Sequence, residues 1–180
     1  HFSFFNQPDA AEANYHMFWS SIRPLVTDDK NALKRLDKIR YDFNEAMNQK
    51  IKAMWAKKLG LITYDESLVG ELQRLMVLSK LDYTIFFRKL SHIPEKITSL
   101  KESFYLPNSE QVDAHWDNWL KRWRNSLKKN GDILITSSKM KRINPKYTWR
   151  EWLITPAYEK AEQGDYSLIK ELQAVFSNPY

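Results

Sequence analysis

Residues 109–129 read SEQVDAHWDNWLKRWRNSLKK, and the spacing of their apolar members decides the fold. Val112, Trp116, Trp119, Leu120, Trp123 and Leu127 recur every three or four residues, which places them on one face of an α-helix. Ser109 supplies a hydroxyl at the N-cap position, and Asn130-Gly131 ends the run. A stripe carrying three tryptophans needs apolar cover from several directions, so this helix is expected inside a helical assembly.

Working outward, the same periodicity dominates the chain. Asp9 is positioned to cap a helix bearing Ala13, Met17, Phe18, Ile22 and Leu25. Thr27 or Asp28 can cap a longer one, whose stripe runs Leu33, Leu36, Ile39, Phe43, Met47, Ile51, Met54, Trp55 and Leu59 before Gly60 stops it. Asp65 caps a helix with Leu68, Leu72, Leu75 and Met76 on one face, and Asp82 a short one with Tyr83, Phe86, Phe87 and Leu90. Residues 95–108 show no clear period and are read as loop with about one helical turn. The DILIT segment, residues 132–136, is too short to propose a sheet. After the Asn144-Pro145 turn, Tyr147 or Thr148 starts a helix carrying Trp149, Trp152, Leu153, Ala157 and Ala161. Gly164 fits its C-terminal cap, and Asp165 caps a final helix through Phe176.

Composition supports an all-α, single folded unit. The 180 residues are 43% hydrophobic and 14% aromatic, enough to offset chain entropy, and only four are glycine. The absence of cysteine excludes a disulfide framework, a thiol nucleophile and a thiolate metal site. No apolar run approaches the roughly 20 residues that span a bilayer, and the first residues lack the form of a signal peptide. The chain begins at His1, in the middle of a recognisable motif, and is read as a piece of a longer protein that is not secreted.

The residues that could carry chemistry are few. His1, His16, His92 and His115 show no metal-ligand spacing, no phosphate loop or nucleophile elbow occurs, and Asp28-Asp29 and Asp65-Glu66 sit where helix starts favour acids. No catalytic, cofactor-binding or metal-binding residue is assigned. The net charge is +6, and residues 121–146 contain nine Lys or Arg against the single acid Asp132. A field of that kind attracts acidic protein surfaces, phosphates or nucleic acid. The interleaved WLKRWRNSLKK has the composition of a single-strand binder, but its tryptophans project together, as a core stripe would. Arg150 stands out because a first-turn cation opposes the helix dipole. It is either an ion-pair anchor to a distant acid or a solvated Arg with a packed stem; with Asp82 and Asp165 it forms the set of candidate structural anchors.

Four ordered blocks then carry a resemblance. FSFFNQP at residues 2–8, KLGL at 58–61, DYTIFFRKLS at 82–91 and NPKYTWREWLITPAYEKAEQGDYS at 144–167 resemble, in order, motifs of the selenoprotein O family of kinase-like protein adenylyltransferases, and the closing Pro179-Tyr180 fits as well. The resemblance implies an enzyme that uses ATP and magnesium to transfer AMP to Ser, Thr or Tyr of other proteins. It implies that residues 1–94 belong to the rear of a kinase-like C-lobe and 109–180 to a C-terminal helical extension. The family's catalytic and metal-binding residues precede the block at Phe2, so none carries over to this sequence. The implied partners are the N-terminal kinase-like portion and protein substrates; nucleic acid and membrane are not expected. Location would be cytoplasmic in a bacterium and mitochondrial in a eukaryote. Pro156 departs from the family pattern and should kink or break its helix. Two other readings fit the same residues: a free-standing helical module binding protein or nucleic acid, and a shortened homologue retaining only a scaffold role.

Overall fold

The computed structural model describes residues 5–180, and its elements are helices. His1 and the start of the FSFFNQP block, residues 2–4, lie outside the described residues. The chain forms α1 (Gln7–Ile22), α2 (Lys30–Lys58), α3 (Glu66–Ser79), α4 (Tyr83–Leu90), α5 (Glu110–Leu127), α6 (Ile133–Lys141), α7 (Glu151–Glu162) and α8 (Ser167–Ser177), with 3-10 turns at Arg23–Val26, Ile97–Ser103 and Lys128–Asn130. Extended pairing among the described residues is limited to one isolated antiparallel bridge, Leu81 to Phe104. Two compact units divide inside α2: the first ends at Met54 and the second is Trp55–Tyr180.

The first unit is a helical hairpin held by polar and stacked side chains. Asn44 donates to Glu12 at 2.8 Å, Arg40 donates to His16 at 3.0 Å, and Tyr15 stacks on Phe43 at 4.3 Å. Residue sums that stay nearly constant along these pairs show that α1 and α2 run antiparallel. Arg40 also lies over the Trp19 ring at 4.6 Å. Two caps differ from expectation. α1 starts at Gln7 with Pro8 in its first turn, leaving Asp9 inside that turn instead of at the cap. α2 is capped by Asp29, whose Oδ1 accepts from the Asn31 and Ala32 N–H groups, one residue beyond Asp28. The long apolar stripe of α2 is also buried unevenly: Ile39 is 56% exposed and Met54 40%, and full burial begins at Trp55.

In the second unit α5 is the central rib. Trp116, Trp119, Leu120 and Trp123 are fully buried. Each indole N–H finds an acceptor 2.9 Å away: Trp116 on Ser79 Oγ, Trp119 on the Leu68 carbonyl and Trp123 on the Leu59 carbonyl. Every tryptophan thus contributes apolar burial of about 4–6 kcal/mol without stranding its polar edge. Trp119 stacks on Trp123 at 5.7 Å, and Trp116 meets Phe86 of α4 at 5.3 Å. Asp65, Asp82 and Ser109 cap α3, α4 and α5 as expected, and Gly60 ends α2 at φ 67°.

Four departures concern segments whose fate depends on distant contacts. The 95–108 loop contains a seven-residue 3-10 helix, because Ile97 and Leu100 reach the core and the Ile97 N–H is capped by Asp117 at 2.7 Å. DILIT begins the helix α6, which Asp132 caps, so that Thr136 and Met140 are buried. α7 starts at Glu151, not at Tyr147 or Thr148; Arg150 is its extended N-cap residue, φ −130° and ψ 137°. α7 then runs through Pro156 without a break, on an exposed side where water can take the carbonyl that proline leaves unpaired. At α8, Tyr166 occupies the cap position and Asp165, one residue earlier, accepts from the Ser167 N–H at 2.9 Å.

Candidate functional site

The anchors named from sequence separate into one long-range node and one local turn. Asp82 ends the Leu81 bridge, and its Oδ1 accepts from the Ile85 N–H at 3.0 Å, which starts α4. The same oxygen accepts from Arg150 Nη2 at 2.7 Å, and the Tyr105 hydroxyl donates to Oδ2 at 3.4 Å. The Asp82 side chain is 8% exposed and that of Arg150 23%. Burial pushes the Asp82 carboxyl up, but the Arg150 guanidinium and the Ile85 N–H more than offset it, leaving the group below its ordinary value. Arg150 is correspondingly held protonated, chiefly by Asp82. Arg150 thus stands in an ion pair with Asp82; at the N-cap of α7 its charge is still at the positive end of the helix dipole, and the Asp82 carboxylate offsets that opposition. Asp165 stays apart: it receives the Ser167 N–H and lies 3.6 Å from Lys160 Nζ, closing the α7–α8 corner next to Gly164 at φ 82°.

A second node was not legible as such in the sequence. Asn144 is fully buried, and its Nδ2 donates to the Lys58 carbonyl and to Ser91 Oγ, both at 2.9 Å. Its own carbonyl and that of Lys141 accept from Arg88 Nη1, at 3.2 and 3.0 Å, which satisfies the end of α6. Ser137 donates to the Ser91 carbonyl at 2.7 Å. One asparagine therefore joins the end of α2, the end of α4 and the segment after α6. The only advance sign was its place at the head of the NPKY block.

Close by, Lys58 is 7% exposed, and its Nζ sits over the Phe87 and Tyr83 rings at 4.4 and 4.9 Å. Burial lowers its pKa to about 8 and raises that of Tyr83 to about 12. His92 is lowered too, by burial and then by Lys141, Arg88 and Lys89.

The basic stretch resolves into used and unused charge. Arg122 pairs with Glu71, and Arg124 donates to the Ile93 carbonyl at 2.5 Å and to Glu95 at 2.8 Å. Trp119 and Trp123 face inward and offer no platform to bases from outside. No group of three or more potential metal-ligating side chains occurs among the described residues. Likewise, no helix among them is long and apolar enough to cross a membrane.

The described residues form an all-α scaffold in which the buried polar side chains Asn144 and Asp82 bond to distant parts of the same chain. Comparison with known proteins identifies its family: residues 1–177 match the model described as Protein adenylyltransferase SelO, and the chain belongs to that family. It is 32% identical over 194 residues to the protein nucleotidyltransferase YdiU of Flavobacterium johnsoniae, covering 99% of this chain and 36% of that protein. Its similarity to the proteins of the same description from Photobacterium profundum and Salmonella typhi is also 32%, over 196 and 187 residues, with the same coverage. The chain thus spans about a third of the length of the curated relatives it matches.

Proposed function

We propose that this chain is the C-terminal helical region of a SelO-like protein adenylyltransferase and that its part in AMP transfer is structural. The observation that carries this reading is the Asp82–Arg150 pair, which joins the start of α4 to the start of α7, and so links the segment proposed as the rear of a kinase-like lobe to the one proposed as its extension. Both charges are committed to each other and to the α4 cap, which leaves neither to act on a substrate.

On this reading ATP and magnesium are bound by a kinase-like portion preceding these residues, the acceptors are Ser, Thr or Tyr hydroxyls of other proteins, and the location is cytoplasmic in a bacterial source and mitochondrial in a eukaryotic one. The test uses ATP labelled on its α-phosphate with magnesium. The 180-residue chain is expected to transfer no label to itself or to added protein, and the full-length translation product to transfer it. Label transferred by the 180-residue chain overturns the structural role. No transfer by the full-length product, with ATP binding also absent, overturns the adenylyltransferase reading.

A further inference from the structure

We propose that the groove between the α2–α3 turn and α6 docks an acidic, amphipathic polypeptide segment. The groove has a volume of about 440 Å³ and is lined by Lys57, Lys139 and Arg142 around Leu61, Ile62 and Ile143, with no carboxylate among its lining residues. Its floor is made by a close approach. Gly60 lies so near α6 that a Cβ there would stand 2.7 Å from Thr136 Cγ2 and 2.8 Å from Met140 Sδ. Thr136 and Met140 are turned inward, and Lys139, with Arg142 and Ile143 just past the end of α6, lies along the rim.

Three observations point to the occupant. First, three other guanidiniums of this unit, those of Arg122, Arg124 and Arg150, pair with carboxylates. Lys57, Lys139 and Arg142 make no ion pair among the described residues, so three uncompensated cations border this one groove. Second, Ile62 is 74% exposed and Ile143 39%, which leaves apolar surface beside those cations. An apolar strip edged by unpaired cations complements a segment with aliphatic side chains on one face and Glu or Asp flanking them. Third, the lining contains no aromatic ring on which a nucleic-acid base could stack, which favours polypeptide over nucleic acid.

The test uses a fluorescein-labelled, 18-residue synthetic helix former with Leu at three- and four-residue spacing and Glu on its flanks, and the 180-residue chain. Three probes serve as comparison: a scrambled peptide of equal composition, polyglutamate, and a single-stranded oligonucleotide. The amphipathic peptide is expected to bind at least tenfold tighter than any of the three, and more weakly as salt rises. Replacing Lys57, Lys139 and Arg142 together by Glu should weaken it at least tenfold, and Ile62→Ser with Ile143→Ser at least threefold. The same charge change placed at Lys121, Lys128 and Lys129 should leave it within twofold. Unaltered melting curves establish that the exposed substitutions spare the fold. Equal binding of the scrambled peptide, polyglutamate or oligonucleotide, or equal loss in the two charge-reversed proteins, would overturn the proposal, as would no binding of the amphipathic peptide.

Discussion

Arg150→Ala is the perturbation that most directly probes the node joining α4 to α7. Losing one partner of a fully buried ion pair costs about 3–5 kcal/mol, whereas an exposed pair is worth about 1 kcal/mol or less. Arg150 retains 23% of its side-chain exposure, and Asp82 keeps the Ile85 N–H, so the expected cost lies between these limits, at about 2 kcal/mol. For a unit of this size that is about 6 °C in melting temperature. Arg150→Lys should recover only part of it, because an ammonium cannot reproduce the fixed geometry of the guanidinium fork. Asp82→Asn retains a capping oxygen and loses the charge, for about 1 kcal/mol. Urea unfolding of Arg150→Met, Asp82→Asn and the double variant should give a coupling of about 1 kcal/mol. Because the folded carboxyl lies below its ordinary value, its contribution is present above the unfolded pKa and lost as pH falls through the folded one. The Arg150→Ala penalty should accordingly shrink on acidification. A penalty below about 0.5 kcal/mol at neutral pH, or a coupling near zero, would refute the anchor.

Asn144→Asp would point a carboxylate oxygen at the Lys58 carbonyl in place of a donor; a loss of about 3 kcal/mol at pH 7, partly recovered near pH 4, should appear in thermal melts. Lys58 gives a pH dependence of opposite sense. Between about 8 and the ordinary lysine value the unfolded chain binds the extra proton, so stability should rise as pH rises through that window, and Lys58→Met should flatten the rise and add about 1 kcal/mol at pH 7. Above about pH 10 the unfolded Tyr83 loses a proton that the folded one keeps to about 12, and melting temperature should turn down; Tyr83→Phe should weaken that downturn. Gly60→Ala combines a left-handed backbone with the contacts to Thr136 and Met140, and a melting temperature lowered by at least 6 °C is expected.

What could be read in advance, and what could not, divides by the distance over which each interaction acts. Ser109, Asp65 and Asp82 were readable as caps because each bonds an N–H three residues on, and the tryptophan face of α5 because helical periodicity is itself local. The all-α class followed from summing such signals, and the ordered motifs carried the family. Where caps slipped, as from Asp28 to Asp29, adjacent residues competed for the same N–H groups and their side-chain chemistry was equal.

The sequence by itself determined the caps of α3, α4 and α5, the tryptophan face that α5 buries and which family the chain joins. Only the tertiary structure decided that Arg150 meets Asp82 across 68 residues and that Asn144 reaches the Lys58 carbonyl across 86. DILIT, with Ile133, Leu134 and Ile135 exposed, carries no amphipathic signal in so short a span; it is held as a helix by its Asp132 cap and by the seat that Gly60 leaves for Thr136 and Met140. The same packing commits Arg124 to Ile93 and Glu95 and leaves Lys57, Lys139 and Arg142 unpaired around one groove. Composition counts charges, but which of them remain available depends on what each side chain meets when distant segments come together.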